Sequence, residues 1–501
     1  MVEFHPGSAR CRRLAGRVSG LAMAIGLLVA ACGPAQTAAT GAATAHGTAR
    51  PSSSASPPPS STADCASAAT CYTPQQLEVA YGVQPLLQRG IDGSGETVVL
   101  PELAETQLNP PLVTDLRQDF AAFDRLFHLP APRLKVVSTF PGPAHPWLAF
   151  GEEVLDAEVV HAIAPRAALT IVLVKGTSLD SAGQAVAASV AALRLGASEG
   201  GIISLSPAGQ IGGEHCVDDA QLTQLNAALQ ADADHHVTVV AATGDTGAAG
   251  EPCALIDALG GSMSGFTPRK EVGLVASGPL VLSAGGTALD ASHTTGAWIG
   301  ETAWGLPDGS PGSAFQASGG GFSHLFRRPS YQNGVQGIGS MRGIPDVAAD
   351  GDPVTGIAVV TSDAGGGYTI SGHAGTSASA PLWAGIIALA DQYAQRHLGF
   401  VNPAIYQIAR GPQYHQAFHD VTAGNSNTAE FPPTTITGYR AGPGWDPVTG
   451  WGSPDAQVLI PLLARYAPPM TAGPAVSAVA SCASGTARRP TRLPRRSRAP
   501  G

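Results

Sequence analysis

The sequence has little charge for its length and few lysines. Charged residues make up 13% of the 501 residues, aromatic residues make up 6%, and lysine occurs only at positions 135, 175 and 270. Ten arginines lie in the first 17 and last 14 residues, so the chain between them is strongly acidic. An acidic body repels phosphate backbones, which excludes nucleic acid as the expected partner. The low charge and the 44% hydrophobic share also exclude a highly charged disordered protein and a coiled coil.

The apolar run near the N-terminus is too short to span a membrane. It covers residues 21–31, about half of the roughly 20 residues that a spanning helix needs, and follows four arginines. This pattern predicts an export signal over residues 1–32. Small residues directly before Cys32 favour a lipoprotein signal that leaves a lipid on Cys32, and an ordinary cleaved signal is the alternative. The protein would then be extracytoplasmic, either as a cell-membrane lipoprotein or secreted. Residues 33–70, rich in Ala, Thr, Ser and Pro, predict a flexible tether.

The seven cysteines include no CxxC pair, which argues against a thiolate zinc site. Export permits disulfides. Apart from two cysteines in the signal, we expect Cys65 to pair with Cys71 at the start of the folded part. We expect Cys216 to pair with Cys253 and tie two loops together. Cys482 is then left over in the tail.

Strands and helices alternate in the central part of the chain. β-Branched runs predict strands at 96–100, 168–175, 201–206 and 237–242, and helices are predicted at 181–195 and 218–232. This alternation implies a parallel sheet with right-handed crossovers. It predicts a single α/β domain over residues 71–466, followed by a disordered Arg-rich tail over 467–501.

A glycine-rich turn delivers a serine to the start of a long apolar helix in GTSASAP, residues 375–381. Pro381 is expected in the first turn of that helix, where its missing N–H has no intrahelical acceptor. Ser377 would meet free backbone N–H groups and the positive end of the helix, which together can hold an oxyanion. A plain serine N-cap is the alternative. The pattern GTSxxxP, shared with subtilisin-like peptidases, favours a nucleophile.

The base that such a serine needs is not found in an HGTHVAG-type segment, because no such segment occurs in the sequence. Glu152 and Asp156 are instead four residues apart, on one face of a helix. This pair is either a solvated acidic helix start or a general base oriented by a second acid, which would suit acidic pH. Asp245 lies between glycines directly after the strand at 237–242. Functional residues gather beyond the carboxyl ends of parallel strands, and a strand-end turn is the alternative.

Several segments in the same order resemble the sedolisins, the serine-carboxyl peptidases. They are YTPQQLEVAYGV from residue 72, GEEVLDAEVVHAIAPRA from 151, SLSPAG from 204, VVAATGDTG from 239, ASGGGFSHLFRRPSYQ from 317, RGIPDVAADGDPVTG from 342, GTSASAPLWAG from 375, HDVTAG from 419 and GPGWDPVTGWGSPD from 442. The resemblance implies a subtilisin-like fold, in which helices flank a parallel sheet, and a single catalytic domain.

The resemblance also implies roles for individual residues. Ser377 would be the nucleophile, Glu152 its general base, and Asp156 the acid that orients Glu152. Asp245 would donate a hydrogen bond in the oxyanion hole while protonated. Glu102, placed after the first predicted strand, resembles a supporting acid found in some members. The implied activity is hydrolysis of peptide or protein substrates at acidic pH, by a monomer.

A calcium site is implied by the C-terminal segment. Asp420 and Asp446 would supply carboxylates to one structural Ca²⁺, and Val421, Gly442 and Gly444 would supply backbone carbonyls. Hard oxygen ligands in a flexible loop suit this ion. An ordinary Asp-Pro turn is the alternative.

Three features depart from the family pattern, and two other functions stay open. Only some 70 residues precede the mature-like start, so the long folded propeptide is not expected. Pro207 stands where many members have an aromatic residue, and the Arg-rich tail has no counterpart. One alternative function is a lipid-anchored binding protein that has lost catalysis, which the intact candidate residues disfavour. The other is a His-based subtilisin-type peptidase using His161, which the missing histidine motif disfavours.

Overall fold

The computed structural model describes residues 71–104, 114–139, 148–149, 151–175, 182–206, 212–250, 253, 267–305, 317–362, 367–427 and 436–467. The predicted signal, tether and tail lie outside these ranges, apart from Ala467 at the start of the tail. Cys32, Cys65, Pro207 and Cys482 therefore lie outside the described residues as well. No helix in the described ranges is both long and apolar enough to cross a membrane.

Helices and strands follow one another along the described ranges. The helices are α1 (Pro74–Ala80), α2 (Gln84–Leu87), α3 (Leu116–Phe127), α4 (Glu152–Ile163), α5 (Ala182–Glu199), α6 (Asp219–Asp234), α7 (Thr376–Ala394), α8 (Asn402–Ala409), α9 (Tyr414–Ala417) and α10 (Ala456–Tyr466). The strands are β1 (Thr97–Ala104), β2 (Thr114–Asp115), β3 (Arg133–Ser138), β4 (Leu148–Ala149), β5 (Ala168–Lys175), β6 (Ile202–Leu205), β7 (Thr238–Ala242), β8 (Ala249–Gly250), β9 (Thr267–Lys270), β10 (Val281–Ala291), β11 (Trp298–Ala303), β12 (Gly321–Arg327), β13 (Met341–Ile344), β14 (Val347–Asp350), β15 (Ile357–Ser362), β16 (Tyr368–His373), β17 (Phe418–His419) and β18 (Ser453–Pro454).

An eight-stranded sheet forms the centre of the fold. Its order is β11-β10-β7-β6-β1-β5-β3, and β14 also pairs with β10. Every pair in it is parallel except β10 with β11. The strands predicted at 168–175, 201–206 and 237–242 are β5, β6 and β7, and the two predicted helices are α5 and α6. The predicted α/β fold with a parallel sheet is therefore confirmed.

Helices cover both faces of this sheet. Successive residues of a strand point to opposite sides of the sheet, and in the central strands the residues on both sides are apolar and buried. Val98 and Leu100 of β1 belong to a core that also contains α4 and α7. Val99, between them, belongs to a second core with residues of α5 and α6. A parallel sheet buried on both faces needs this double cover.

Helices α4 and α7 pack closely, with Gly385 at their contact. A Cβ added to Gly385 would lie 2.8 Å from the Ile163 Cβ, so only glycine permits this approach. Gly385 lies eight residues after Ser377, and Ile163 lies eleven residues after Glu152. At a rise of 1.5 Å per residue, the contact therefore lies at a similar distance along each helix from Ser377 and from Glu152. The contact is therefore consistent with Glu152 and Ser377 lying close together at the two helix starts.

Two local predictions are wrong. Glu102 lies within β1 rather than after it, because pairing of β1 with β5 continues to Ala104. Pro381 is the sixth residue of α7 and lies inside the helix, not in its first turn, because the helix begins at Thr376. At that position the missing N–H would have donated to the carbonyl of Ser377.

The predicted disulfide between Cys216 and Cys253 is present, with the two Cα atoms 5.1 Å apart. It joins the short 3-10 helix Glu214–Cys216 to the segment that follows β8. Cys71 is also disulfide-bonded, and Cys65, the partner predicted for it, lies outside the described residues.

Candidate active site

Ser377 is the second residue of α7 and is 6% exposed. Its Oγ donates a hydrogen bond to the backbone carbonyl of Ser206 over 3.1 Å. The residue before the helix, Gly375, has a φ of 100°, which L side chains rarely adopt. A Cβ there would also lie 2.7 Å from Asp245 Oδ2. Glycine at 375 therefore allows both the sharp turn into the helix and the approach of Asp245.

Glu152 is the first residue of α4, and its carboxyl interacts with the Ser377 hydroxyl. Burial raises the pKa of Glu152 to about 7; the Ser377 hydroxyl acts against this rise, and the charge of Asp245 adds to it. Asp156 lies one turn further along the same helix and is fully buried. Burial, followed by the charge of Glu152, raises the pKa of Asp156 well above its ordinary value. Of the predicted pair of acids, Asp156 is therefore directed into the protein, while Glu152 is partly buried at the helix start.

Two further acids surround this pair. Glu102, on β1, is 1% exposed, and burial followed by the charge of Asp156 raises its pKa well above the ordinary range. Glu153 is also buried, and its charge raises the pKa of both Glu102 and Asp156. The carboxyl oxygens of Glu102 and Asp156 form no hydrogen bond of standard geometry with a described residue. Their proximity is evident in the effect that each has on the pKa of the other.

Asp245 follows β7 and contacts the residue that precedes the serine. Its Oδ1 accepts hydrogen bonds from the backbone N–H and the hydroxyl of Thr376, each over 2.8 Å. The Thr376 hydroxyl in turn accepts from the Gly244 N–H over 3.0 Å. Burial raises the pKa of Asp245 above its ordinary value, and the two bonds from Thr376 act against this rise. A partly buried carboxyl thus lies beside the start of α7, where backbone N–H groups lack intrahelical acceptors.

The structure brings together the four residues predicted for catalysis, from three separate segments: α4, the turn after β7 and the start of α7. An alcohol beside a carboxyl with a raised pKa can lose its proton while it attacks a carbonyl carbon. A neutral acid at a helix start can stabilise the oxyanion that results. Sequence reasoning missed Ser206, whose carbonyl contacts the Ser377 hydroxyl. The motif SLSPAG contains this serine and was the one available signal for it.

His161 does not contact Ser377. Its Nε2 lies 3.0 Å from Asp124 Oδ1 on α3, and its ring is fully buried against Phe120. It also lies nine residues after Glu152, which places it on the opposite side of α4. The structure therefore gives no support to a His-based subtilisin-type peptidase that uses His161.

The predicted calcium residues converge from two segments. The Gly444 N–H lies 3.1 Å from each carboxyl oxygen of Asp420. Asp446 Oδ2 accepts from the Gly442 N–H over 3.2 Å. Burial, and then the charges of Asp420 and Asp446, raise the pKa of Tyr414, so both carboxyls lie near the same hydroxyl. Both carboxyls accept N–H groups of the glycine-rich turn in this structure, and carboxylate oxygens are ligands that suit a hard cation.

Comparison with known proteins places this chain in a family. The sequence profile described as "Subtilase family" matches residues 148–408. Kumamolisin of Bacillus sp. (strain MN-32) is 34% identical over 418 residues, which cover 80% of this chain and 66% of that protein. Human tripeptidyl-peptidase 1 is 31% identical over 272 residues, which cover 50% of this chain and 41% of that protein. The matched part thus spans just under two thirds of kumamolisin and less than half of tripeptidyl-peptidase 1.

A solved structure has the same fold. Pseudomonas sedolisin, a serine-carboxyl proteinase complexed with two molecules of pseudo-iodotyrostatin, superposes with a TM-score of 0.59. The match covers 79% of this chain and 98% of that one at 23% identity. Together with the profile match over half of the sequence, these similarities show that the chain belongs to the subtilase family, in its sedolisin branch.

Proposed function

We propose that this chain is an exported serine-type peptidase that hydrolyses peptide bonds in acid, with Ser377 as the nucleophile and Glu152 as the general base. One observation carries the proposal: the Glu152 carboxyl at the start of α4 meets the Ser377 hydroxyl at the start of α7. The similarity to kumamolisin and tripeptidyl-peptidase 1 supports the peptide substrate class.

The acids behind Glu152 support its role as the base. The pKa of Glu152 is raised to about 7, while burial raises those of Asp156 and Glu102 well above their ordinary values. In this proposal Glu152 carries the negative charge, because it is the acid that interacts with the Ser377 hydroxyl, and Asp156 one turn away stabilises the carboxylate that forms. In the resting structure the Ser377 proton points to the Ser206 carbonyl. Rotation of this hydroxyl would direct the proton to Glu152 while Oγ attacks the substrate carbonyl.

Stabilisation of the oxyanion would come from Asp245 and the start of α7. A protonated carboxyl donates a hydrogen bond to the tetrahedral oxyanion, whereas an ionised one repels it. Burial favours the neutral form, since it raises the pKa of Asp245. The backbone N–H groups of the first turn of α7 add a partial positive charge at the same point.

These two requirements together set the pH dependence. The catalytically active form has Glu152 ionised and Asp245 protonated. The plot of rate against pH should therefore be bell-shaped, with its two limbs set by the two apparent pKa values. The pKa of Glu152 is raised to about 7, and that of Asp245 is raised from its ordinary value. We expect the optimum below neutral pH, because Asp245 must keep its proton.

A structural Ca²⁺ belongs to the proposal. Asp420 and Asp446 would hold it together with the backbone carbonyls of Val421, Gly442 and Gly444. The ion would neutralise two carboxylates that otherwise repel each other and would fix the loop that leads into α10. It takes no part in the proton transfers at Ser377.

Export of a monomeric enzyme, with a lipid on Cys32 as its membrane anchor, completes the proposal. It rests on the sequence pattern of residues 1–32 and on the length of the tether.

The test is a pH–rate profile on a peptide substrate with two variants and a control. Ser377→Ala should abolish hydrolysis, and Glu152→Gln should lower kcat by roughly 10²–10⁴-fold. Ser379→Ala, at a buried serine two residues along α7, should keep wild-type rates. A wild-type protein that binds peptides without turnover would indicate the binding-protein alternative. Full activity of Glu152→Gln, or an optimum above neutrality, would exclude the carboxylate mechanism.

A further inference from the structure

Ser206 and Ser377 exchange two hydrogen bonds across 171 positions of the chain. The Ser377 Oγ donates to the Ser206 carbonyl over 3.1 Å, and the Ser206 Oγ donates to the Ser377 carbonyl over 3.3 Å. Ser206 directly follows β6 (Ile202–Leu205) and is fully buried. One residue at the end of a central strand therefore holds both the side chain and the backbone of the nucleophile.

The carbonyl of Ser377 can accept this bond because of Pro381. In an α-helix, the carbonyl of residue 377 accepts the N–H of residue 381. Pro381 lies inside α7 and has no N–H to donate. A buried carbonyl without a donor is costly, and here the Ser206 hydroxyl takes the place of the missing N–H.

Ser206 also faces the acids behind the base. Its hydroxyl lies close enough to Asp156 to lower the pKa of that carboxyl, although the two form no hydrogen bond of standard geometry. Ser206 thus lies between Asp156, which supports Glu152, and the backbone of Ser377. A shift of its hydroxyl would affect both groups.

We propose that Ser206 is a positioning residue for the nucleophile, and that Pro381 makes this role possible by leaving the Ser377 carbonyl free to accept the Ser206 hydroxyl. The two bonds fix the first turn of α7 to the end of β6, so the Ser377 Oγ stays at one distance from Glu152 and from the oxyanion donors. The kinetic consequence of this inference rests on the proposed peptidase function; the structural coupling does not.

The kinetic experiment compares Ser206→Ala with Ser204→Ala. Ser204 lies two residues earlier, within β6, is equally buried, and its hydroxyl has no hydrogen-bond partner among the described residues. Ser206→Ala should lower kcat by about tenfold and change KM by no more than about twofold. A tenfold change in rate corresponds to the upper end of the net free energy of one hydrogen bond. Ser204→Ala should leave both constants unchanged. Equal kcat values for the two variants would overturn the positioning role, provided that the wild type is active.

The structural experiment is a thermal double-mutant cycle with Ser206→Ala and Pro381→Ala. An alanine at position 381 supplies the N–H that the Ser377 carbonyl lacks. Removing the Ser206 hydroxyl should therefore lower the melting temperature by a few degrees in the wild type and by clearly less in the Pro381→Ala background. Additive shifts would overturn the proposal even if the protein is an active peptidase. Coupled shifts in a protein that hydrolyses no peptide would refute the proposed function and leave the coupling between Ser206 and Pro381 intact.

Discussion

Asp245 accepts both the N–H and the hydroxyl of Thr376 through a single carboxyl oxygen, each over 2.8 Å. Thr376 directly precedes the nucleophile, so the two bonds fix the acid relative to the start of α7. The other oxygen, Oδ2, is next to Gly375, and any side chain there would collide with it. The acid proposed for the oxyanion hole is thus held beside the nucleophile by the two bonds from Thr376.

Replacing Asp245 by Asn should change the shape of the pH–rate profile. The amide oxygen can still accept both bonds from Thr376, while the NH₂ group donates at every pH. Activity should therefore lose its decline on the alkaline side. The apparent pKa of the base should also fall, because the charge of Asp245 raises the pKa of Glu152. Asp245→Ala, which has no donor, should lower kcat by roughly 10²–10³-fold. An unchanged bell-shaped profile in Asp245→Asn would show that Asp245 is not the group that titrates.

Buried carboxyls should make the protein more stable in acid than at pH 8. Asp391, in the last turn of α7, accepts the Leu398 N–H over 2.9 Å, and burial raises its pKa to about 8. The ordinary value for an unfolded Asp is about 3.9. The folded state therefore binds more protons between these values, so the stabilisation is complete below about pH 4 and is lost as the pH rises to 8. Asp391→Asn should weaken this pH dependence in urea unfolding at pH 4, 6 and 8.

The matched control is Asp234→Asn, at an exposed residue at the end of α6. The free energy of unfolding of this variant should depend on pH in the same way as that of the wild type. A pH dependence in Asp391→Asn that equals that of the wild type would show that Asp391 is ionised in the folded protein across this range.

The calcium proposal predicts a thermal stabilisation that depends on pH. At a hundredfold excess of Ca²⁺ over Kd, binding to the folded state adds about 2.7 kcal/mol. Asp446→Asn keeps an oxygen for the N–H groups of Val448 and Thr449 but loses the charge, so its melting temperature should not respond to Ca²⁺. Burial raises the pKa of Asp446 to about 6. The response of the wild type should therefore decrease as the pH falls through 6.

The measurement is the melting temperature in chelator and in millimolar Ca²⁺ at pH 7 and pH 5. Identical temperatures for the wild type under both conditions at pH 7 would mean that the Asp420 and Asp446 loop is only a turn.

Removing the disulfide between Cys216 and Cys253 should destabilise the protein. Loss of a native bridge typically costs about 2–5 kcal/mol in small secreted domains. The double variant to Ser should melt earlier than the wild type, and a reductant should lower the melting temperature of the wild type towards that of the variant. A melting temperature that neither change affects would show that the bridge contributes nothing to stability, even where peptide mapping finds it formed.

The sequence by itself determined the alternation of strands and helices, and with it the α/β fold, because periodicity and β-branched runs are local properties. The residues at 152, 156, 245 and 377 could also be proposed as catalytic candidates, because they lie in segments that resemble the sedolisins. The pairing of Cys216 with Cys253 was predicted as well. Local patterns were less reliable at the ends of elements, where β1 continues past Glu102 and α7 begins early enough to enclose Pro381.

Only the tertiary structure decided which groups touch. The bonds between Ser206 and Ser377 depend on where the start of α7 lies relative to the end of β6. No local sequence pattern specifies the relative position of these two elements. The high pKa of Asp391 depends on burial by distant segments, which a single aspartate at the end of a helix does not reveal. His161 pairs with Asp124 on another helix for the same reason. Contacts between distant residues follow from the packing of whole elements, so the sequence identified the catalytic candidates, but only the fold placed Ser206 beside the nucleophile.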